Sequence, residues 1–160
     1  AWGSFYGGDD FTYYFFKIEV MIREKYDVSS IKQLSSVALE LLSLSDNRIF
    51  ALHGDLGAGK TTLVKQFCTH LKVVDSVSSP TFSLVNEYIN IEGVKVFHFD
   101  LYRVNDISEL IKMGVDTYFN SGEYCFIEWP AIVEPLLFNS YYNNIKIVAT
   151  DNKRELYLLE

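Results

Sequence analysis

The sequence predicts an α/β protein in three layers: a mainly parallel central sheet, helices on both of its faces, and a C-terminal hairpin. Three observations lead there. Short apolar runs such as Arg48 to Leu52 and Tyr124 to Ile127 alternate with stretches of helical periodicity. A glycine-rich loop, Gly54 to Thr61, lies between one such run and a helix. Finally, two apolar runs in the tail flank the turn residues Asp151, Asn152 and Lys153.

Residues 1 to 20 stand apart, with eight aromatic side chains at Trp2, Phe5, Tyr6, Phe11, Tyr13, Tyr14, Phe15 and Phe16. The segment suits an edge strand, the remnant of a longer precursor or vector-derived residues, and it is set aside from the functional reading. Residues 21–160 are expected to form a single domain. Ser29 or Ser30 caps a helix whose residues Ile31, Leu34, Ala38, Leu41 and Leu42 share one face. Asp46-Asn47 ends it, and Arg48 to Leu52 follows as a buried strand. After the glycine loop, a helix buries Leu63, Val64, Phe67 and Leu71. A polar loop from Ser76 to Pro80 leads to a strand over Phe82 to Tyr88. Asn90 to Gly93 then turns the chain into another, Val94 to Phe99. A short helix from Asp106 to Met113 ends at Gly114, and Tyr124 to Ile127 is a buried strand closed by Glu128-Trp129-Pro130. Ile145 to Ala149 and Leu156 to Leu159 make the terminal hairpin.

Composition narrows the function classes. Nearly half of the 160 residues are apolar, enough for a packed core, and no apolar run approaches the ~20 residues that cross a bilayer. The start lacks a basic segment followed by an apolar stretch, so a cytoplasmic protein without membrane contact is expected. Cys68 and Cys125 have no second Cys or His at ligand spacing and read as buried, reduced thiols. A net charge of −7, with 14 scattered Lys and Arg, argues against direct binding of DNA or RNA. Any role in a nucleic-acid pathway is therefore expected to run through protein partners.

Gly54-Asp55-Leu56-Gly57-Ala58-Gly59-Lys60-Thr61-Thr62 carries the strongest chemistry. Its glycines let the backbone turn sharply and aim N–H groups inward as an anion nest. Lys60 reaches the β and γ phosphates as a mobile charge, and the Thr61 hydroxyl completes a Mg²⁺ shell. The helix beginning there directs its positive end at the same place. A chain of this length matches the pattern by chance about once in two hundred cases. Its place between strand and helix narrows that further. This is the P-loop, and the fold becomes a P-loop NTPase-like three-layer sandwich with ATP and Mg²⁺ as cofactors.

Such a loop works with an acid at the end of a neighbouring buried strand. Asp100 ends Val96 to Phe99, and Glu128 ends Cys125 to Ile127; spacing leaves their separate roles open. Ser78-Ser79-Pro80-Thr81 has the hydroxyls of a γ-phosphate-sensing switch, or is a polar turn before a strand. Arg103 reads as a salt-bridge partner of Asp100 or Asp106 before an arginine finger, and Trp129 as core before a base-stacking platform. His53 and His98 read as packed strand residues.

Other classes were weighed. Asn152-Lys153-Arg154-Glu155 imitates a guanine-reading box, but its Glu is one methylene too long, and Asp100-Leu101-Tyr102-Arg103 lacks the glycine of a GTPase switch turn. A small-molecule kinase needs an arginine-rich lid, which the region after Gly114 does not offer. A nucleotide-gated binding module with little turnover fits the same residues as an ATPase.

Four motifs then bear a resemblance. The glycine loop, Ser79-Pro80-Thr81-Phe82-Ser83-Leu84-Val85, His98-Phe99-Asp100-Leu101-Tyr102-Arg103 and Ile127-Glu128-Trp129-Pro130 resemble, in order and spacing, those of the bacterial TsaE (YjeE) family over residues 22 to 160. The resemblance implies a small ATPase that works with TsaB and TsaD in making N6-threonylcarbamoyladenosine at position 37 of tRNAs reading ANN codons. It implies that the ATP cycle supports turnover of the TsaD complex and that tRNA is met through that complex. Lys60 and Thr61 match the phosphate and Mg²⁺ residues, Glu128 the metal-side acid, Asp100 an essential acid near the γ-phosphate, and Ser79-Pro80-Thr81 the first switch loop. Residues 1 to 20 have no counterpart in the resemblance, and the tail after Pro130 matches loosely.

Overall fold

The structure, a computed structural model, describes residues 22–137 and 140–160, so the aromatic-rich stretch 1–20 lies outside the described residues. The elements in chain order are β1 (Ile22–Asp27), α1 (Ile31–Leu44), β2 (Ile49–His53), α2 (Lys60–His70), β3 (Val85–Ile89), β4 (Lys95–Asp100), α3 (Ile107–Met113), α4 (Val115–Phe119), β5 (Tyr124–Glu128), a 3-10 turn (Pro130–Val133), α5 (Glu134–Leu137), β6 (Asn143–Ala149) and β7 (Arg154–Leu159). All seven strands join one sheet in the order β1-β7-β6-β2-β5-β4-β3.

The sheet corrects the expectation of a mainly parallel arrangement. The inner strands β6, β2, β5 and β4 run parallel, while β1, β7 and β3 attach antiparallel at the two edges. The reason lies in the connections. Tight turns at Asn90–Val94 and Thr150–Lys153 return the chain directly, and a short return joins only antiparallel strands. Parallel neighbours need a crossover, which the α3–α4 segment supplies between β4 and β5.

Side-chain alternation divides the core into two layers. On one face Phe50, Val96, Phe126, Ile145 and Leu156 pack against α1 and α2. There Phe67 stacks on Phe126 at 4.7 Å between ring centroids, with Phe50 at 4.9 Å from Phe67. On the other, Ile49, Phe97, Phe99, Cys125 and Ile127 pack against α3, α4 and the 3-10 turn. The same period of two puts His98, Asp100 and Glu128 on the α2 side, at or near the carboxyl ends of β4 and β5.

α1 starts at a capping box. The Ser30 hydroxyl accepts the Gln33 N–H at 3.2 Å, while the Gln33 side chain accepts the Ser30 N–H at 2.9 Å. Gly114, in the left-handed region with φ 75°, ends α3 as expected and also opens α4. The hydrogen-bonded part of β3 begins at Val85 rather than Phe82, leaving Phe82 fully exposed before the strand. Cys68 and Cys125 are buried free thiols, each pushed up to about 12 chiefly by burial. No helix among the described residues is long and apolar enough to cross a membrane.

Candidate functional site

The glycine loop bridges β2 and α2 at the carboxyl edge of the parallel strands, with positive φ at Gly54, Gly57 and Gly59. The first two glycines serve different ends. A Cβ on Gly54 would lie 2.7 Å from the Ile147 carbonyl oxygen and 3.1 Å from the Ala58 Cβ, so only glycine lets the loop leave β2 this close to β6. A Cβ on Gly57 would meet nothing within 4 Å, because that residue faces open space.

Lys60 opens α2 and is only 4% exposed. Its Nζ donates to the carbonyls of Gly54 at 2.6 Å and Asp55 at 2.9 Å, and lies 4.1 Å from the Trp129 ring centroid. Burial holds its ammonium below the ordinary lysine value, opposed by the charges of Glu128, Asp100 and Asp55. The next residue turns the other way. The Thr61 Oγ1 hydroxyl donates to Glu128, 2.8 Å from Oε1 and 3.0 Å from Oε2.

β4 and β5 bring the two acids together, because Asp100 and Glu128 are paired residues in their parallel register. Asp100 Oδ2 accepts the Ser79 hydroxyl at 2.7 Å, while Oδ1 accepts the Tyr102 N–H at 3.1 Å. A cavity of about 290 Å³ opens between these groups, lined by Leu56, Gly57, Gly59, Lys60, Thr61, Thr62, Ser79, Asp100, Tyr102, Glu128 and Trp129. The remaining loop residues shape the site from behind. Gly54 and Asp55 supply carbonyls to Lys60, and Ala58 is buried with its N–H on the Asp55 carbonyl at 3.0 Å. Of the switch residues, Ser79 reaches the cavity, whereas Pro80 and Thr81 do not line it.

Several site residues escaped the sequence reading. Trp129 packs half-buried against the core and is also cavity wall: it caps the Lys60 ammonium, stands 4.8 Å from the Tyr102 ring, and adopts φ 56°, a conformation costing about 1–3 kcal/mol in a non-glycine residue. Its one signal was its place between a strand-end acid and Pro130. His98 is indeed packed, at 0% exposure, but its Nε2 also lies 2.7 Å from Glu128 Oε1. A second cavity of about 100 Å³ adjoins the first at Gly59 and Thr62, walled by Val28, Ile31 and Ile147 and bordered by Ser29, Ser30 and Arg154. No local pattern marks that pocket, because its walls come from both ends of the chain.

Other expectations resolve plainly. Arg103 is exposed and forms no ion pair with Asp100 or Asp106; Asp106 instead caps α3 by accepting the Ser108 N–H at 2.8 Å. His53 ends β2 within 3.4 Å of a Glu134 oxygen, and burial keeps it below the ordinary histidine range. Asn152-Lys153 lies in the β6–β7 turn. Glu155 is committed to Lys153 at 2.7 Å and Lys25 at 3.0 Å, which removes the carboxylate a guanine box requires.

Comparison with known proteins places this geometry in context. The family model described as threonylcarbamoyl adenosine biosynthesis protein TsaE matches residues 28–156. The tRNA threonylcarbamoyladenosine biosynthesis protein TsaE of Haemophilus influenzae is 38% identical over 131 residues, spanning 76% of this chain and 82% of that protein. The Bacillus subtilis protein of the same name is 38% identical over 108 residues, 68% of this chain and 66% of that one. Among solved structures, Bacillus subtilis YdiB shares the fold with a TM-score of 0.68 at 28% identity, covering 87% of this chain and 86% of its own.

Proposed function

The chain belongs to the TsaE family of threonylcarbamoyl adenosine biosynthesis proteins, and from that premise we propose that it is a Mg²⁺-dependent ATPase serving this tRNA modification. The observation that carries the reading is the joining of Thr61, heading α2, to Glu128, ending β5, beside a buried lysine at a glycine loop. The donor set fits Mg²⁺. Among the described residues no group of three or more His, Cys, Asp or Glu could cage a metal. A hydroxyl and a carboxylate or two, with phosphates and waters completing the shell, is how Mg²⁺ is usually held.

In this reading the loop N–H groups and the α2 N-terminus bind the phosphates. Lys60 exchanges its carbonyl partners for phosphate oxygens. Thr61 and Glu128 hold Mg²⁺, which when bound neutralises charge on the β and γ phosphates. Asp100, in register with Glu128 and bonded to Ser79, orients the attacking water near the γ-phosphate. Adenine and ribose occupy the second cavity, between its apolar walls and the Arg154 and serine side chains. That pocket carries no guanine-reading carboxylate, which favours ATP over GTP.

The partners follow from the family reading. TsaB and TsaD use the ATP cycle, which supports turnover of the TsaD complex as it forms N6-threonylcarbamoyladenosine at position 37 of tRNAs reading ANN codons. With a net charge of −7, the chain meets tRNA through that complex. The test is ATP turnover measured alone and with the matching TsaB–TsaD pair, together with the modified nucleoside in cells whose only copy carries Glu128→Ala. Slow turnover alone, stimulation by the pair and loss of the nucleoside are expected. Normal nucleoside levels in the Glu128→Ala cells would break the link between Mg-ATP chemistry and tRNA modification.

A further inference from the structure

A row of buried polar side chains runs diagonally across three strands behind the cavity. Tyr88 on β3 pairs in register with Val96, and His98, two residues further along β4, pairs with Phe126. Glu128 stands two residues further along β5. The three are 4%, 0% and 3% exposed, all on the α2 face. Glu128 Oε1 meets His98 Nε2 at 2.7 Å, and His98 Nδ1 meets the Tyr88 hydroxyl at 3.2 Å. That hydroxyl donates to the Ser78 carbonyl at 2.7 Å and accepts the Ser78 N–H at 3.2 Å. Both backbone groups of one loop residue thus close on a single phenolic oxygen, and the next residue, Ser79, bonds Asp100.

Such a row is costly to leave incomplete, since a buried polar group that loses its partner keeps its desolvation penalty. A hydrophobic core at the same place would need none of it. We propose that Tyr88 and His98 are positioning residues that tie the Ser78–Ser79 loop to the Glu128 carboxylate, so that seating of the loop sets how Glu128 presents Thr61 to a divalent cation. The inference rests on the reading of the cavity as a Mg-ATP site. His98 holds Oε1, the Thr61 hydroxyl spans Oε1 and Oε2, and Thr61 and Glu128 both line the cavity. Tyr88 pins His98 only while Ser78 holds the phenol.

The experiment titrates ATP onto the full chain at stepped Mg²⁺ concentrations by calorimetry, and follows amide hydrogen exchange at Ser78–Thr81. Tyr88→Phe should raise the Mg²⁺ concentration for half-maximal tightening of ATP binding about five- to tenfold, leave Mg²⁺-free binding within about twofold, and speed exchange at Ser78. His98→Gln should shift the Mg²⁺ requirement in the same sense, and carries the test should Tyr88→Phe fail to fold by circular dichroism. Asn86→Ala removes a second donor to the Ser78 carbonyl, 3.0 Å away, and a contact of 3.3 Å to the Tyr88 hydroxyl; it should speed exchange at Ser78 and shift the Mg²⁺ requirement in the same sense, by less than Tyr88→Phe. In a Glu128→Gln background, Tyr88→Phe should add no further shift. An unshifted Mg²⁺ requirement in Tyr88→Phe, faster loop exchange without any shift in Asn86→Ala, or an undiminished shift over Glu128→Gln would each overturn the link while leaving the Mg-ATP reading intact. Wild-type binding indifferent to Mg²⁺ would overturn both.

Discussion

Two alanine substitutions in the same loop should separate its two uses of glycine. At Gly57 an added Cβ meets nothing within 4 Å, so the cost is conformational: φ 78° is unfavourable for alanine by about 1–2 kcal/mol. At Gly54 a comparable conformational cost is joined by a contact of 2.7 Å with the Ile147 carbonyl oxygen, a backbone atom fixed in β6. Relief requires β2 and β6 to part, and forced overpacking of this kind costs about 1–3 kcal/mol more. With about 2–4 °C of melting temperature per kcal/mol for a chain of this size, Gly57→Ala should melt about 3–6 °C low and Gly54→Ala about 10 °C low. The open space at Gly57 is the cavity itself, so ATP affinity should fall at least tenfold in both variants, about 1.4 kcal/mol or more. Thermal denaturation by circular dichroism and calorimetric ATP titration measure the two effects. Should Gly54→Ala melt no lower than Gly57→Ala, the close approach of the loop to β6 would not be what demands glycine there.

Lys60→Ala should weaken ATP binding by calorimetry, whereas Asp100→Asn should bind ATP normally and lose at least tenfold in turnover, about 1.4 kcal/mol of barrier. Arg103→Ala should leave turnover of the isolated chain unchanged, because that side chain is exposed and does not line the cavity; a tenfold loss would restore the arginine finger. Lys153, Tyr157 and Lys25 hold Glu155 down to about 2, so its contribution to stability is present above about 4.5 and is lost as pH falls toward 2. The melting temperature of Glu155→Gln should therefore lie below wild type at pH 7 and converge on it near pH 2; a gap that persists in acid would show that the ion pairs are not its source.

Legibility tracked how local each signal was. The glycine loop, the Gly114 cap and the strand-end acids announce themselves because backbone demands act on one residue or the next. Ser30 and Gln33 spell out a cap within four positions. β1 went unread because it is an edge strand with four of six residues exposed, so its pattern carries no apolar periodicity. α4 was missed because five residues are too few to display one. The hairpins are legible in the sequence, but the antiparallel edges they give an otherwise parallel sheet follow only from the strand order of the folded chain. Trp129 and His98 read as packing because burial is all that such residues signal by themselves, and Tyr88 carries no signal beyond its strand. Their polar partners depend on strand register, and register belongs to the folded sheet.

If the site hydrolyses ATP as proposed, its charge predicts slow turnover by the isolated chain. Among the described residues, the wall of the first cavity includes one basic side chain, Lys60, against the carboxylates of Asp100 and Glu128. Lys60 is already held by two loop carbonyls and the Trp129 ring, which leaves one of its three N–H groups free of a carbonyl partner. Arg154 borders the second cavity rather than the first, with its guanidinium 3.5 Å from the Gly57 carbonyl. A transferring phosphoryl group spreads negative charge over its oxygens, and a second cation beside it is worth several orders of magnitude in rate. If the cavity holds Mg-ATP as proposed, binding needs only groups already in place, while fast turnover should need a cation, or an ordering of the Ser78–Ser79 loop, that the described residues do not supply alone. On that proposal, dependence on a partner would follow from the site's own charge balance, and bound ATP should stay unhydrolysed until the partner arrives.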